Sequence, residues 1–295
     1  MPRENIKMKI ILRILLIVPV LLLISQVSFT EQSNGIHKPL IVGVFPRRNA
    51  TSTYKLFKPM AKYLSLKLGR KVTLLTAKDF KTFWHNVKAK KYDLVHYNQY
   101  HYILSNQQWG YKVIAKNEEF GQDYIAPAIV VRRNSKVQKV EDLRGKKIMF
   151  GGGPKAMIAY IYARHLLQEA GLNPGDYTQA FAKNPVNAVL STYFNQSDAS
   201  AAGNLILRLP VVKKQINVSK LRYLVIGKAY AHIPWATSPN ISKSLSHKIQ
   251  QVLVNLEKSA QGRRVLKSAK LTGLKLTYDK EFDPYRAIIK KVLQQ

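Results

Sequence analysis

The stretch Leu40-Ile41-Val42-Gly43-Val44-Phe45 is a compact apolar run that ends at Pro46. A run of this length that ends at a turn residue is typical of a strand buried on both faces. The pattern after it predicts a helix over 56–68, a strand over 72–75, a helix over 80–89 and a strand over 93–97. This β-α-β-α-β order predicts a parallel sheet with helices on its faces.

A second unit of the same kind follows. Its strands are predicted over 125–132, 147–150, 199–202 and 221–226, and its helices over 156–170 and 186–194. Further helices, over 245–258, 264–268 and 284–293, belong to the stretch from about Ala229 that is expected to return to the first lobe. The fold class is therefore α/β, with two lobes that are each a mixed, mostly parallel sheet flanked by helices. The boundaries expected are 38–122 plus 229–295 for the first lobe and 123–228 for the second. The hinge strands are expected near 124–131 and 221–228.

The first thirty residues have the pattern of an export signal. Arg3, Lys7, Lys9 and Arg13 precede an apolar run from Ile14 to Ile24. Eleven residues are too few to span about 30 Å of hydrocarbon as a helix. The polar residues that follow include Ser28-Phe29-Thr30, which is a tolerable small-x-small cleavage site. An uncleaved membrane anchor is the alternative interpretation of residues 1–30.

Composition narrows the class of protein further. Hydrophobic residues make up 46% of the 295, which excludes a disordered chain. The 48 Lys plus Arg and 16 Asp plus Glu give a formal net charge of +32, which attracts polyanions. These cations are spread along the chain and never exceed two in a row, so a solvated basic surface is favoured over a specific nucleic-acid site. The chain has no Cys, which excludes disulfides and thiol catalysis.

The sequence lacks the common catalytic motifs. It contains no G-x-S-x-G, no Walker A motif, no G-x-G-x-x-G and no H-E-x-x-H. Its seven His have no metal-ligand spacing, and its acidic residues are scarce. We therefore predict neither an enzyme, nor a metal site, nor a cofactor.

Four loops at predicted strand ends are candidates for a binding cleft, since ligands of α/β sheets lie outside the carboxyl ends of the strands. The Gly151–Lys155 turn exposes backbone N–H groups at a helix start, where an anion is favoured. The other three loops are 46–54, 97–102 and 201–204. For 97–102 the alternative is an aromatic helix packed in the core. The predicted ligand-binding residues are Arg47, Thr53, Tyr54, Tyr97, Asn98, Tyr100, Gly152, Gly153, Lys155, Ala156 and Asn204.

The order of several segments resembles a known family. The segments are Val42–Pro46, Phe57–Leu64, Asp93–Tyr100, Val140–Phe150 and Tyr162–Leu172. In this order they resemble the periplasmic solute-binding proteins of phosphate, phosphite and phosphonate ABC transporters. The resemblance covers about Leu40 to Leu245.

This resemblance implies a two-lobed Venus-flytrap fold of the type 2 periplasmic binding proteins, with no catalysis and with ligand contacts from the four loops. It also implies a periplasmic monomer that captures a small oxyanion and delivers it to an ABC permease in the inner membrane. The sequence departs from the family at 153–157, which reads Gly-Pro-Lys-Ala-Met where the family places Ser and Thr. It also lacks the acidic residue that the family places near Asn204.

Two other functions remain open from the sequence. One is the same fold acting as a membrane-anchored sensor or partner-binding module, with residues 1–30 retained. The other is a basic protein that binds polyanions, which is the less favoured because Lys and Arg are evenly spread.

Overall fold

The computed structural model describes residues 38–293. The predicted export segment, 1–30, lies outside the described residues. Within 38–293, no helix has both the length and the apolar character needed to cross a membrane.

Strands and helices alternate along most of the described chain. The strands are β1 Leu40–Val44, β2 Val72–Thr76, β3 Leu94–His96, β4 Lys112–Glu118, β5 Tyr124–Ile125, β6 Pro127–Arg132, β7 Lys147–Gly151, β8 Thr178–Ala182, β9 Ala199–Gly203, β10 Leu221–Ile226, β11 Tyr230–Ala231, β12 Pro234–Thr237 and β13 Gly273–Leu276. The α-helices are α1 Ala50–Leu68, α2 Phe80–Lys88, α3 Gln99–Trp109, α4 Ala163–Glu169, α5 Pro185–Tyr193, α6 Pro210–Lys213, α7 Lys243–Val254, α8 Ala260–Ala269 and α9 Asp283–Leu293. A π-helix spans Met157–Tyr162, and 3₁₀ turns cover Val140–Leu143, Ile206–Arg208, Val218–Lys220, Leu256–Lys258 and Asp279–Phe282.

The first sheet has six strands in the order β13-β4-β12-β3-β1-β2. β1 lies between β2 and β3 and is parallel to both. Helices α1 and α2 make this possible, because each crossover returns the chain to the same end of the sheet. β12 and β13 come from the last third of the chain and join through antiparallel pairs.

The second sheet has five strands in the order β10-β6-β9-β7-β8. β7 is parallel to β8 and β9, whereas β6 is antiparallel to β9 and β10. Between the two sheets, β5 and β11 form a short antiparallel ladder in which Tyr230 faces Ile125. The chain therefore passes between the sheets along two neighbouring paths.

The predicted fold of two mixed sheets flanked by helices is confirmed, but parallel pairing is less dominant than expected. Two of the five ladders in the first sheet and two of the four in the second are parallel. The sequence pattern missed β4, β8, β12 and β13, which include three of the four strands that make antiparallel pairs in the first sheet. The lobe boundaries that we predicted stay a prediction.

Two helices start differently from the sequence prediction. Helix α1 begins at Ala50 rather than at 56, because the Asn49 side chain accepts a hydrogen bond from the Ser52 N–H at 2.8 Å and caps the helix. The helix predicted over 156–170 starts as a π-helix. The N–H groups of Tyr160 and Ile161 both donate to the Ala156 carbonyl at 3.0 Å. Wider turns of this kind are frequent at functional sites.

Apolar clusters cover both faces of the first sheet, and strands of the second sheet contribute to the core as well. Helices α1, α7 and α8 share one apolar cluster with this sheet, and helices α2, α3 and α9 contribute to another. Gly43 sits in the middle of β1, where a Cβ atom would lie 2.5 Å from the Tyr92 ring. Only glycine fits there, since such a distance is far inside van der Waals contact.

Candidate ligand-binding cleft

A cavity of about 370 Å³ opens between the two sheets. Residues 45–47 after β1, the start of α2 and the start of α3 line it from the first sheet. From the second sheet it is lined by 151–159 at the end of β7, by 183–185 after β8, and by Gly203, Leu205, Ile206 and Leu209 at the end of β9. These are carboxyl ends of parallel strands, where α/β proteins bind ligands. The topology therefore brings the predicted strand-end loops to one place.

Six of the eleven predicted residues line this cavity, while the other five lie elsewhere. The six are Arg47, Asn98, Gly152, Gly153, Lys155 and Ala156. Thr53 lines a smaller cavity of about 50 Å³ behind the cleft. Tyr54 is exposed on α1, and its ring contacts Lys58, with Nζ 5.4 Å from the centroid.

Residues 99–102 of the aromatic segment form the first turn of helix α3, and Asn98 is its N-cap residue. Tyr97 is fully buried, and its hydroxyl has no hydrogen-bond partner among the described residues. Tyr100 is half-buried against His101. Asn204 does not line the cavity either: its Oδ1 accepts from the Ala126 N–H at 3.1 Å beside β6. Ligand contact by these three side chains therefore stays a prediction that the cleft's lining does not support.

Asn98 links the two sides of the cleft. Its Oδ1 accepts a hydrogen bond from the His101 N–H at 2.9 Å, which caps α3. Its Nδ2 donates to the carbonyl oxygen of Lys155 at 3.2 Å. Lys155 belongs to the turn after β7, so one amide side chain joins a helix of the first sheet to a loop of the second.

The Gly-rich turn after β7 has an unusual backbone. Gly152 has φ +116°, which side-chain-bearing residues rarely adopt. Its N–H donates to the Ala182 carbonyl at 2.9 Å, which ties the turn to β8. The π-helix that follows has Ala156 at its N-cap position, with no side-chain hydrogen bond to cap it. Its first N–H groups therefore have no hydroxyl partner at the N-cap, unlike the first turns capped by Ser or Thr.

The charges in the cleft are mostly positive. Arg47 Nη1 lies 3.5 Å from Glu119 Oε1, and this pair is largely shielded from solvent. Burial acts to raise the pKa of Glu119, but Arg47, His232, Arg48 and a hydrogen bond from Asn117 together hold that pKa below its ordinary value. Lys155 and Lys183 are exposed, and neither has an ion pair within residues 38–293. Two lysines that form no ion pair with any described residue therefore line the cavity from the second sheet's loops.

Phe80 and His101, supported by Trp84, form an aromatic platform on the wall of the cleft that the first sheet provides. None of the three was among the predicted ligand-binding residues. The Phe80 ring stacks on His101 with centroids 5.3 Å apart and planes 20° apart. Trp84 packs on the edge of the same imidazole. Burial and the nearby Lys155 lower the pKa of His101 to about 3, so its ring is neutral. Phe80 is the first residue of α2 and follows β2, which is parallel to β1. This position after a strand end is the sequence feature that could have predicted Phe80 as a cleft residue.

Behind the cleft, His96 lies in a buried polar cluster. His96 Nε2 is 3.2 Å from Asn117 Oδ1, which also accepts from Trp235 Nε1 at 2.9 Å. The His96 and Trp235 rings stack with centroids 4.4 Å apart. Within residues 38–293, no group of three or more His, Asp or Glu is arranged to hold a metal ion.

The family model for the periplasmic phosphonate substrate-binding proteins of ABC transporters matches residues 42–282. This chain belongs to that family. The match confirms the resemblance, and membership makes the chain the substrate-binding component of an ABC transporter. Families of this kind bind and deliver substrates rather than transform them, and they work in the periplasm.

Solved structures support the fold of this binding protein. PhnD1 from Prochlorococcus marinus, in complex with methylphosphonate, has a TM-score of 0.75 at 16% identity over 88% of this chain and 99% of that one. A phosphonate-transporter binding protein from Pseudomonas aeruginosa has a TM-score of 0.73 at 15% identity over 87% of each chain. A Xanthomonas citri protein bound to ATP has a TM-score of 0.73 at 16% identity over 87% of this chain and 98% of that one. All three share the two-sheet fold.

Proposed function

We propose that this binding protein captures a small oxyanion of the phosphate or phosphonate type between its lobes and delivers it to an ABC permease in the inner membrane. The lobes are 38–122 plus 229–295 and 123–228, with hinge strands near 124–131 and 221–228, and the protein acts as an exported monomer. The observation that carries the proposal is the cleft at the strand ends, where Lys155 and Lys183 have no carboxylate partner among the described residues. Arg47, Asn98, Gly152, Gly153 and Ala156 complete the expected contacts.

The missing hydroxyls change how an oxyanion is held. The family's Ser and Thr are replaced here by Gly153, Pro154 and Ala156. Backbone N–H groups at the helix start and the Lys155 ammonium group remain as donors. The anion is therefore held more by charge than by a network of hydroxyls, so its affinity depends on salt more steeply than in a hydroxyl-lined site.

Thermal unfolding with phosphate, phosphite, methylphosphonate and small carboxylates at low salt tests this proposal. A ligand at a hundred times its Kd stabilises the protein by about 2.7 kcal/mol, which raises the Tm of a domain this size by about 5–10 °C. Lys155→Gln should reduce the shift, whereas Lys139→Gln, an exposed lysine outside the cleft, should retain it. The absence of a shift with every anion tested would contradict the proposal.

A further inference from the structure

The wall of the cleft is largely apolar, which a site for a small inorganic oxyanion does not need. Fourteen of its lining residues are apolar, among them Phe45, Met157, Ile206, Leu209 and Ile233. Clefts that take drug-sized organic ligands have volumes of about 300–1,000 Å³ and the same predominance of apolar lining. The cavity of about 370 Å³ falls within that range.

Phe80 is the most unusual member of this wall. It has 40% of its surface exposed, while the aromatic side chains around it are more deeply buried. Its ring is held in place by the stack on His101 and by Phe45, whose centroid is 6.2 Å away. An exposed, immobilised aromatic face inside a cleft leaves apolar area free for a ligand.

A short chain of contacts connects this platform to the positive wall. The Phe80 ring lies on His101, the His101 Nδ1 is 2.9 Å from Asn98 Oδ1, and Asn98 Nδ2 donates to the Lys155 carbonyl at 3.2 Å. The aromatic face and the Lys155 backbone are therefore three contacts apart. Both features line the same cavity, so one molecule with an anionic end and an apolar end can contact both.

We propose that the physiological ligand is an organic oxyanion with an aromatic or similarly bulky apolar substituent. The anionic group lies at Lys155 and the helix start, and the substituent stacks on Phe80. This inference rests on the proposed function and specifies its substrate class. Apolar burial supplies the affinity that the missing hydroxyls do not.

Calorimetric titration of the full chain with phenylphosphonate, methylphosphonate and inorganic phosphate tests the substrate class. The two phosphonates have the same head group and differ in the substituent. We expect phenylphosphonate to bind at least about tenfold more tightly than methylphosphonate, since a buried ring removes far more apolar area from water than a methyl group.

Substitutions in the cleft test the contributions of the ligand's apolar end and anionic end separately. Phe80→Ala should reduce the tenfold preference to less than about threefold. Lys155→Gln should weaken both phosphonates and keep the preference. Phe194→Ala, which removes an exposed aromatic side chain outside the cleft, should keep both affinities.

The outcomes distinguish this inference from the proposed function. Equal affinity for the two phosphonates, or a preference for phosphate, would overturn the substrate class and leave oxyanion capture intact. If no oxyanion binds to a chain whose unfolding is cooperative, the proposed function itself fails.

A different observation supports a second inference, about one face of the first lobe. Helices α1, α7 and α8 pack together on one side of the first sheet, where Ser268 Oγ donates to the Leu56 carbonyl at 3.0 Å and Tyr63 OH lies 3.3 Å from Ser259 Oγ. The three helices contain no Asp or Glu. Their Lys and Arg side chains are all exposed: Lys55, Lys58, Lys62, Lys67, Lys243, Lys248, Arg263, Arg264 and Lys267. We call this surface the basic helical face.

Neighbouring acidic groups do not neutralise this face. Glu257, between α7 and α8, already pairs with Lys275 at 3.0 Å. Leu66 and Tyr54 on α1 have 64% and 41% of their surfaces exposed among the lysines. A positive surface with a few protruding apolar and aromatic side chains is typical of peripheral membrane contact.

We infer that the basic helical face binds the anionic surface of a phospholipid bilayer. In the periplasmic location of this family, lipid head groups are an extended anionic surface, and each Lys or Arg near it adds attraction. Such binding concentrates the protein close to the membrane in which its permease lies.

Co-sedimentation of the full chain with vesicles tests this inference. The vesicles contain either phosphatidylcholine alone or phosphatidylcholine with about 30% phosphatidylglycerol. The face variant changes Lys55, Lys58, Lys62, Arg263 and Arg264 to Gln. The control variant has the same net charge and changes five exposed lysines of the second lobe to Gln: Lys136, Lys139, Lys146, Lys213 and Lys220.

We expect the face variant to bind the anionic vesicles at least about tenfold more weakly and the control less than about threefold more weakly. Equal losses in the two variants would overturn the inference, because they would indicate net charge alone. Tighter binding to heparin or to a DNA duplex than to the anionic vesicles would also overturn it, in favour of another class of polyanion.

Discussion

Lowering the pH from 7 to 5 is expected to reduce the free energy of unfolding by at least about 4 kcal/mol. Two buried histidines, His101 and His232, account for this figure, and buried His96 acts in the same direction. Burial lowers the pKa of His232 to about 4 and that of His101 to about 3. Burial, reinforced by Arg47, also holds the pKa of His96 well below its ordinary value.

The free energy of unfolding falls as the pH falls because the unfolded chain binds more protons than the folded one. Each imidazole is neutral in the folded chain but takes up a proton below about pH 6.5 once the chain unfolds. Protons therefore favour the unfolded state between about pH 6.5 and the folded pKa. His101 and His232 each contribute about 2 kcal/mol over the step from pH 7 to pH 5. Typical domains are stable by only 5–15 kcal/mol, so this loss is large.

Urea unfolding at pH 7, 6 and 5 measures the effect. The variants His101→Gln and His232→Gln should each lose about 2 kcal/mol less than wild type over the same step. His247→Gln, at an exposed position on α7, is the control and should keep the wild-type slope. A stability that does not change between pH 7 and pH 5 would contradict the neutral, buried state of these rings.

Trp235→Ala is expected to lower the free energy of unfolding by about 3–5 kcal/mol at pH 7. Trp235 is fully buried at the centre of the first sheet. Its ring stacks on His96 and lies 6.0 Å from Phe57, and its Nε1 donates to Asn117 Oδ1 at 2.9 Å. The substitution creates a cavity and removes one of the donors that satisfy a buried amide oxygen.

Trp235→Phe separates these two contributions. It retains most of the apolar ring and removes the indole N–H, so we expect a loss of about 1–2 kcal/mol. The midpoint of urea unfolding should fall in the order wild type, Trp235→Phe, Trp235→Ala. If Trp235→Ala unfolds at the wild-type midpoint, the packing described around His96 is wrong.

Much of the fold was predictable because its parallel strands are local in sequence. β1, β2 and β3 are short apolar runs separated by amphipathic helices, and this alternation predicts their pairing. The strands β12 and β13 were missed because they are short and neither is a long apolar run. Pro234–Thr237 is a strand only because it fits between β3 and β4, residues that lie more than a hundred positions earlier.

The site was predictable in part, for a similar reason. Arg47, Asn98 and Lys155 follow strand ends, and the strand-end rule places them in the cleft. Tyr97 follows the same strand as Asn98, yet its side chain points into the core. Whether a residue after a strand faces the cleft or the core depends on the rotation of the next helix, which packing decides.

By itself, the LIVGVF stretch and the pattern around it determined a two-lobed α/β binding protein with a cleft at its strand ends, since hydrophobic periodicity and chain order are properties of the sequence. Only the tertiary structure decided what the cleft contains. Phe80 and His101 lie at the starts of two helices of the first sheet, and Lys155 lies in a loop of the second. They form one site because the two chain paths through β5 and β11 bring those sheets together. The apolar character of the cleft is a property of that assembly, because its wall combines side chains that are far apart in sequence.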